Sequence, residues 1–151
     1  MDVILTAAVT ANGMIAREVT ETVDWSADLA LFREQTMGQT VIMGSQTEAT
    51  LPTDLDGRKV VVMHRDMKPV DVLAQINTEH CFIIGGARTY SRFAPQLTHA
   101  YLTFHPVLFP SNAIPLFSFL ASEIELTFVK KISVRKEEGI YQFQYEVSTV
   151  D

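Results

Sequence analysis

Short apolar runs that favour β-structure alternate with helix-compatible segments from residue 3 to residue 104. Because a strand, a helix and a further strand most readily form a parallel pair, this alternation predicts an α/β fold with a mostly parallel central sheet flanked by helices. Near the end of the chain, Glu123–Ser133 and Ile140–Val147 alternate in polarity on either side of Glu137-Glu138-Gly139, which predicts a C-terminal antiparallel hairpin and therefore a mixed sheet. The predicted strands are Val3–Val9, Thr40–Met43, Lys59–Met63, Cys81–Ile84 and Ala100–Phe104, and the predicted helices are Ser26–Met37, Ser45–Leu51, Val70–Ile76 and Gly86–Phe93.

Length and composition favour one globular domain over residues 1–151, with 47% apolar and 20% charged residues. A net charge of −6 without a run of Lys or Arg argues against a nucleic-acid partner. No apolar stretch approaches the length of a membrane span, and Asp2 stands where a secretory segment would carry positive charge. The single Cys81 fits a reducing compartment, so we expect a cytoplasmic protein in which this thiol is buried and inert.

Two adjacent glycines, Gly85 and Gly86, end the predicted strand Cys81–Ile84 and precede a predicted helix. Glycine has no Cβ, so a ligand can approach its backbone closely. A helix that begins directly after the pair would direct free N–H groups at an anion. The spacing is not that of the G-x-G-x-x-G fingerprint. By itself the pair therefore indicates either a tight turn or a contact with a phosphate-bearing ligand.

The carboxyl ends of parallel strands meet at one rim of a sheet, where α/β proteins bind their ligands. Glycines, cations and hydroxyl groups follow several of the predicted strands here, so we expect them to converge. Arg65 and Arg88 are candidates to meet a phosphate, with a solvated surface position as the alternative. The residues expected at this rim are Gly44, Ser45, Thr47, His64, Arg65, Gly85, Gly86 and Thr103.

Asp28 is the first candidate for acid chemistry. It lies in the first turn of the predicted helix Ser26–Met37, beside Leu29 and Phe32. A carboxylate in apolar surroundings can bind an N–C–N edge through two hydrogen bonds and assist the protonation of a ring. The alternative is an acid that only interacts with the helix dipole. Arg58, just before a predicted strand, suits either a carboxylate clamp at a cleft rim or a solvated position.

A metal site is not expected. The four histidines, His64, His80, His99 and His105, are widely spaced, and the chain has one cysteine.

Taken in order, several short motifs resemble the dihydrofolate reductase family over nearly all of residues 3–104. Each motif is weak alone, and their order and spacing carry the resemblance. They are Thr6-Ala7-Ala8, Asn12-Gly13-Met14-Ile15, Ala27-Asp28-Leu29 with Phe32, Val41-Ile42-Met43-Gly44 with Thr47, Leu55-Asp56-Gly57-Arg58-Lys59, Ile83-Ile84-Gly85-Gly86-Ala87 with Tyr90, and Tyr101-Leu102-Thr103. The resemblance implies hydride transfer from NADPH to dihydrofolate, a small-molecule substrate. It also implies a cis peptide between Gly85 and Gly86.

The same resemblance implies roles for individual residues. Asp28 and Thr103 would be catalytic, the first hydrogen-bonding the pterin and supporting its protonation. Arg58 would hold the glutamate carboxylate of the substrate. The implied substrate contacts are Thr6, Ala8, Leu29, Phe32, Leu51, Leu55 and Arg58, and the implied cofactor contacts are Ala8, Ile15, Gly44, Ser45, Gln46, Thr47, His64, Arg65, Ile84, Gly85, Gly86, Ala87, Arg88 and Tyr90.

The chain also departs from the family's pattern. Ser45 and Gln46 stand where many relatives carry basic residues for the 2′-phosphate of NADPH, although Arg65 can compensate. The segment between Arg65 and Ile84 is short, so a strand and part of the adenosine site are expected to be missing. Trp25 lies unusually near Asp28 in sequence and is expected to pack near the mouth of the cleft.

Alternatives stay open at this point. The tail, which begins at His105-Pro106-Val107, is similar to the reductase branch of riboflavin biosynthesis. The first alternative is therefore a ribosylaminopyrimidine reductase, and the second is a catalytically idle binder of pterin or nucleotide. Either a monomer or a homodimer is compatible with the hairpin, whose edge could pair two subunits while its charges oppose this.

Overall fold

A seven-stranded mixed sheet forms the centre of the protein in a computed structural model that describes residues 1–150. The strand order is β4-β3-β5-β1-β6-β9-β8, and a separate two-stranded sheet pairs β2 with β7. The strands are β1 (Asp2–Thr10), β2 (Met14–Ala16), β3 (Thr40–Gly44), β4 (Lys59–Met63), β5 (His80–Ile83), β6 (His99–His105), β7 (Ile114–Pro115), β8 (Ile124–Arg135) and β9 (Ile140–Thr149). The helices are α1 (Leu29–Thr36), α2 (Ser45–Thr50), α3 (Pro69–Ala74) and α4 (Ala87–Phe93).

The first five strands of the order β4-β3-β5-β1-β6 run parallel to one another, as predicted. Their continuous apolar runs fit a sheet covered on both faces. Leu5, Ile42 and Ile83 lie in one core cluster, and Ile4 and Val41 lie in a second cluster. Strand pairing and burial therefore agree with the α/β fold expected from the sequence.

The C-terminal hairpin is antiparallel, as predicted, and Gly139 turns it in a left-handed conformation. Its polar face is the buried one. Gln142 is 1% exposed and exchanges two hydrogen bonds of 2.7 and 3.0 Å with Gln35 of α1. Because each amide satisfies the other, these polar groups can be buried beside α1. The aromatic rings of Phe143 and Tyr145, on the opposite face, are only half-buried.

The start of α1 differs from the prediction. The helix begins at Leu29 rather than near Ser26, and Asp28 occupies the N-cap position. Sequence reasoning also missed the pairing of β2 with β7, since strands of three and two residues are too short to produce a periodic pattern. Within the described residues, no helix is long and apolar enough to cross a membrane. Nor do residues 1–150 hold a cluster of three potential metal ligands.

Candidate active site

A cleft of about 920 Å³ opens where two neighbouring strands part. Strand β1 pairs with β5 only as far as Leu5 and Ile83, but continues beside β6 to Thr10 and His105. Residues 6–8 of β1 therefore line the cleft on the side where β5 has ended. The loops after β3, β4 and β5 close around the same opening, at the carboxyl ends of the parallel strands as predicted.

The structure brings most of the predicted site residues to this one cleft. They belong to β1, β2 and the start of α1, and to the segments that end or follow β3, β4 and β5. The predicted residues that line it are Thr6, Ala8, Ile15, Asp28, Leu29, Phe32, Gly44, Ser45, Gln46, Thr47, Leu51, His64, Arg65, Ile84, Gly85, Gly86, Ala87, Arg88 and Tyr90.

The glycine pair forms a tight cradle in the wall of the cleft. The Gly85–Gly86 peptide is cis, as the resemblance implied. The N–H of Gly44 donates to the Gly85 carbonyl at 2.8 Å, which joins the ends of β3 and β5. Gly85 has φ +126°, and a Cβ there would lie 3.4 Å from both Thr47 Oγ1 and the Tyr90 hydroxyl. Conformation and space therefore both favour glycine at this position.

Tyr90 connects α4 to the opened part of β1. Its hydroxyl donates to the Thr6 carbonyl at 2.8 Å, and the side chain is buried. Burial raises the pKa of Tyr90 well above its usual value, and the negative charge of Asp28 raises it further. The phenol therefore stays protonated and acts as a fixed donor.

Asp28 is partly buried and lines the cleft. Its backbone carbonyl accepts the Phe32 N–H at 2.9 Å, as expected at the start of a helix. Its side chain, however, makes no capping hydrogen bond. Leu29 and Phe32 line the cleft beside it. A carboxylate that is not engaged by its own helix is thus available to a ligand against an apolar wall.

Three predicted site residues, Thr103, Leu55 and Arg58, do not line the cleft. The Thr103 side chain is fully buried, and its Oγ1 has no hydrogen-bond partner within the described chain. Leu55 packs against the core cluster of Ile4 and Phe82. Packing inside the protein keeps both side chains out of the cleft lining, and the sequence alone does not indicate that packing.

Arg58 does not line the cleft, and it is not solvated, so the solvated alternative is wrong. Its role as a carboxylate clamp stays a prediction. Its side chain is 0% exposed. The guanidinium donates to the Asp54 carbonyl at 2.9 Å and to Thr36 Oγ1 at 3.4 Å, while Nε has no partner among residues 1–150. The turn before β4 thus folds this arginine inward beside α1.

Arg92 lines the cleft and was missed. From α4 its guanidinium donates to the carbonyls of His64 and Met67, the two ends of the turn that carries Arg65. The Met67 N–H closes that turn by donating to the His64 carbonyl at 3.1 Å. An arginine at helical spacing after Arg88 was the available sequence signal, but its partners lie 25 and 28 residues away.

Other cleft residues that sequence reasoning missed include Ile114 of the short strand β7 and, from irregular segments, Glu18, Glu21, Val23 and Ser118. Trp25 does not line this cleft. Its ring packs edge-on against His105 at 5.2 Å and Phe109 at 5.3 Å, beside a smaller cavity of about 200 Å³. The tryptophan is a packing residue, as expected, and it does not line the cleft although Val23 and Ser26 do.

Comparisons with known proteins agree with the fold and identify the family. The chain is 30% identical over 128 residues to dihydrofolate reductase type 8 of Escherichia coli, a match that covers 83% of this chain and 72% of that protein. It is also 30% identical over 114 residues to dihydrofolate reductase type 3 of Salmonella typhimurium, covering 66% and 69% of the two chains.

A solved structure of dihydrofolate reductase from Enterococcus faecalis, complexed with NADP(H) and RAB-propyl, superimposes with a TM-score of 0.70. The superposition covers 99% of this chain and 97% of that one at 20% identity, so it supports the fold alone. The family model described as Dihydrofolate reductase matches residues 2–114. This chain therefore belongs to the dihydrofolate reductase family.

Proposed function

We propose that this protein catalyses the NADPH-dependent reduction of 7,8-dihydrofolate to tetrahydrofolate. The observation that carries the proposal is the convergence of two features in one cleft. An uncapped carboxylate, Asp28, lies beside an apolar wall, and a glycine cradle, Gly85–Gly86, lines the same cleft. The first suits a pterin ring and the second suits the close approach of a nucleotide.

The residues at the cradle fit a phosphorylated cofactor. Gly44 and Gly85 line the cleft, and a Cβ at either position would meet a neighbouring side chain, Thr89 Oγ1 at 2.8 Å from Gly44 and Thr47 Oγ1 at 3.4 Å from Gly85. His64, Arg65 and Arg88 are exposed cleft residues that could pair with phosphate. Since Ser45 and Gln46 carry no charge, we assign recognition of the 2′-phosphate to Arg65. When bound, the reduced nicotinamide supplies a hydride, and Ala8, Ile15 and Tyr90 line the proposed nicotinamide position.

Asp28 would bind and orient the pterin. Its carboxylate accepts two hydrogen bonds from the N–C–N edge of the ring and supports protonation of the ring nitrogen next to the carbon that receives the hydride. Leu29, Phe32 and Leu51 exclude water from the reacting ring. Thr103, whose buried hydroxyl has no partner in the described chain, would reach the same region through a water molecule.

Arg58 would hold the glutamate tail of the substrate. Support comes from its unused Nε donor and its place beside Thr36 at the end of α1. A carboxylate that reached this guanidinium would compete with the Asp54 carbonyl, so the clamp needs the Asp54 turn to yield. Replacing Arg58 with Lys should raise KM for dihydrofolate far more than for a pterin without the tail. Equal increases for both substrates would refute the clamp.

The decisive assay follows the loss of NADPH absorbance with dihydrofolate. We expect turnover by the wild type and a loss of about 10²-fold or more in Asp28→Asn, the scale of a lost proton-transfer group. Asp24→Asn is the matched control, because Asp24 is an exposed acid in the same segment that does not line the cleft. Unchanged activity in Asp28→Asn would remove that residue from the mechanism.

The same assay separates the rival functions. Reduction of a ribosylaminopyrimidine phosphate without reduction of dihydrofolate would replace the proposal with the riboflavin-type activity. Binding of a pterin inhibitor without turnover of either substrate would indicate an idle binder.

We further infer a single domain, a cytoplasmic location and either a monomer or a homodimer. Support for the location is the single, buried Cys81.

A further inference from the structure

His105, at the end of β6, makes two hydrogen bonds that together define its protonation. The side chain is 4% exposed. Its Nδ1 lies 2.9 Å from the Thr103 carbonyl, and its Nε2 accepts the Ala27 N–H at 2.9 Å. A carbonyl can only accept and an amide N–H can only donate. The arrangement therefore requires a neutral imidazole with its proton on Nδ1.

The bridge connects the segment before α1 to the central sheet. Ala27 is adjacent to Asp28, and residues 22–27 belong to no helix or strand. No other backbone hydrogen bond anchors residues 22–27 within the described part of the chain. The edge-on packing of Trp25 against the His105 ring holds the same segment from a second direction.

We infer that His105 is a positioning residue for Asp28, an inference that rests on the proposed function. The imidazole fixes the Ser26–Ala27 peptide, one residue before Asp28, relative to Thr103, the residue of β6 whose carbonyl it also binds. His105 does not line the cleft, so it acts through the backbone and touches no ligand. His105 thereby determines the position of the Asp28 carboxylate when a pterin is bound.

Loss of the bridge should lower kcat. Without the acceptor at Nε2, the chain before α1 gains freedom and the carboxylate departs from its productive position. A misplacement of about 1 Å costs on the order of 10²-fold in rate. We expect kcat to fall by about 10- to 100-fold with a smaller change in KM for NADPH, because most of the proposed cofactor residues follow β3, β4 and β5.

Three variants separate the two hydrogen bonds from simple packing. His105→Phe keeps a ring against Trp25 and removes both bonds. His105→Asn keeps a donor near the Nδ1 position but cannot reach Ala27. His105→Gln places an oxygen near the Nε2 position and can accept the Ala27 N–H. Rates should therefore be low in the Phe and Asn variants and partly recovered in Gln. Equal losses in all three would overturn the assignment.

A double-mutant cycle distinguishes positioning from general destabilisation. In an Asp28→Asn background, His105→Phe should have little further effect on kcat, because the group that it positions is already disabled. A merely structural histidine would lower kcat by the same factor in both backgrounds, and that result would refute the inference. Urea unfolding of each variant identifies the folded fraction, and the Gln variant keeps the test available if Phe folds poorly.

Hydrogen exchange at the Ala27 amide tests the bridge without any substrate. Protection of this amide should be lost in His105→Phe and retained in His105→Gln, while the N–H of Gly44 stays protected in both. Unchanged protection of Ala27 in the Phe variant would overturn the bridge even if activity fell. If the wild type does not reduce dihydrofolate, the proposed function is refuted. The effect assigned to His105 on catalysis is then refuted as well. An active wild type with unaffected His105 variants would refute this inference alone.

Discussion

Replacing Gly44 with alanine should destabilise the protein through one buried contact. An ideal Cβ at this position would lie 2.8 Å from Thr89 Oγ1. Optimal contact between non-bonded heavy atoms lies near 3.5–4.0 Å, so the new methyl group overlaps the hydroxyl strongly. Thr89 is 5% exposed and sits in α4, where a β-branched side chain has little freedom to rotate.

The expected cost follows from how little either partner can move. The N–H of Gly44 is tied to the Gly85 carbonyl at 2.8 Å, so β3 cannot withdraw without losing that bond. Overpacking of a well-filled interior costs about 1–3 kcal/mol. For a chain of this length, that corresponds to a decrease in Tm of about 2–12 °C. Urea unfolding monitored by circular dichroism gives the free energy directly.

Thr89→Ala provides the matched background. It removes the atom that the new methyl group would strike, so Gly44→Ala should cost less than about 0.5 kcal/mol in the Thr89→Ala protein. The cycle then yields a coupling free energy of about 0.5–3 kcal/mol, the range found for residues in direct contact. If Gly44→Ala is equally costly in both backgrounds, Thr89 is not the obstacle and the argument from contact fails.

Three further perturbations follow from individual side chains. Tyr90→Phe leaves the buried Thr6 carbonyl unpaired, so urea unfolding should report a loss of about 1–3 kcal/mol, and no loss would mean that water replaces the phenol. Burial raises the pKa of the Cys81 thiol from 9.0 to about 12, so the unfolded state loses its proton first as pH rises through this window. The unfolding free energy should then fall by up to about 1.4 kcal/mol per pH unit relative to Cys81→Ala, and parallel pH curves would contradict the burial effect. Arg92→Met removes the hydrogen bonds that hold the turn carrying Arg65, so KM should rise more for NADPH than for NADH. Equal increases for the two cofactors would show that the turn does not help to bind the 2′-phosphate.

The parallel half of the sheet was predictable because its strands are short, nearly continuous apolar runs, which form a strong local pattern. Runs such as Val3–Val9 and Lys59–Met63 are almost entirely apolar, and the structure places strands over both. The hairpin was predictable from its alternation, but not which face of β9 is buried. Burial of Gln142 depends on Gln35, which lies 107 residues away in sequence. No local pattern contains that pairing.

Candidate site residues were found where chemistry and chain position coincide. Gly44 and the glycine pair directly follow strands, so their place at the rim followed from topology. The positions of Arg58 and Arg92 depend on packing between distant segments. One arginine was expected outside and is buried, while the other was not expected in the cleft and lines it. Sequence patterns identify such residues by type, but only the folded chain determines what their side chains contact.

The beginning of α1 illustrates a conflict between local stability and the proposed chemistry. An aspartate at an N-cap usually accepts a hydrogen bond from the first turn and contributes about 1 kcal/mol to the helix. Asp28 stands at that position without making the bond, so α1 forgoes this contribution. His105 instead anchors the Ser26–Ala27 peptide, through a hydrogen bond that does not involve the Asp28 carboxylate. If the Asp28 carboxylate capped the helix, fewer of its lone pairs would be free to accept hydrogen bonds from a pterin. Holding the chain by its backbone at Ala27 thus allows the same residue to start a helix and remain open to a ligand.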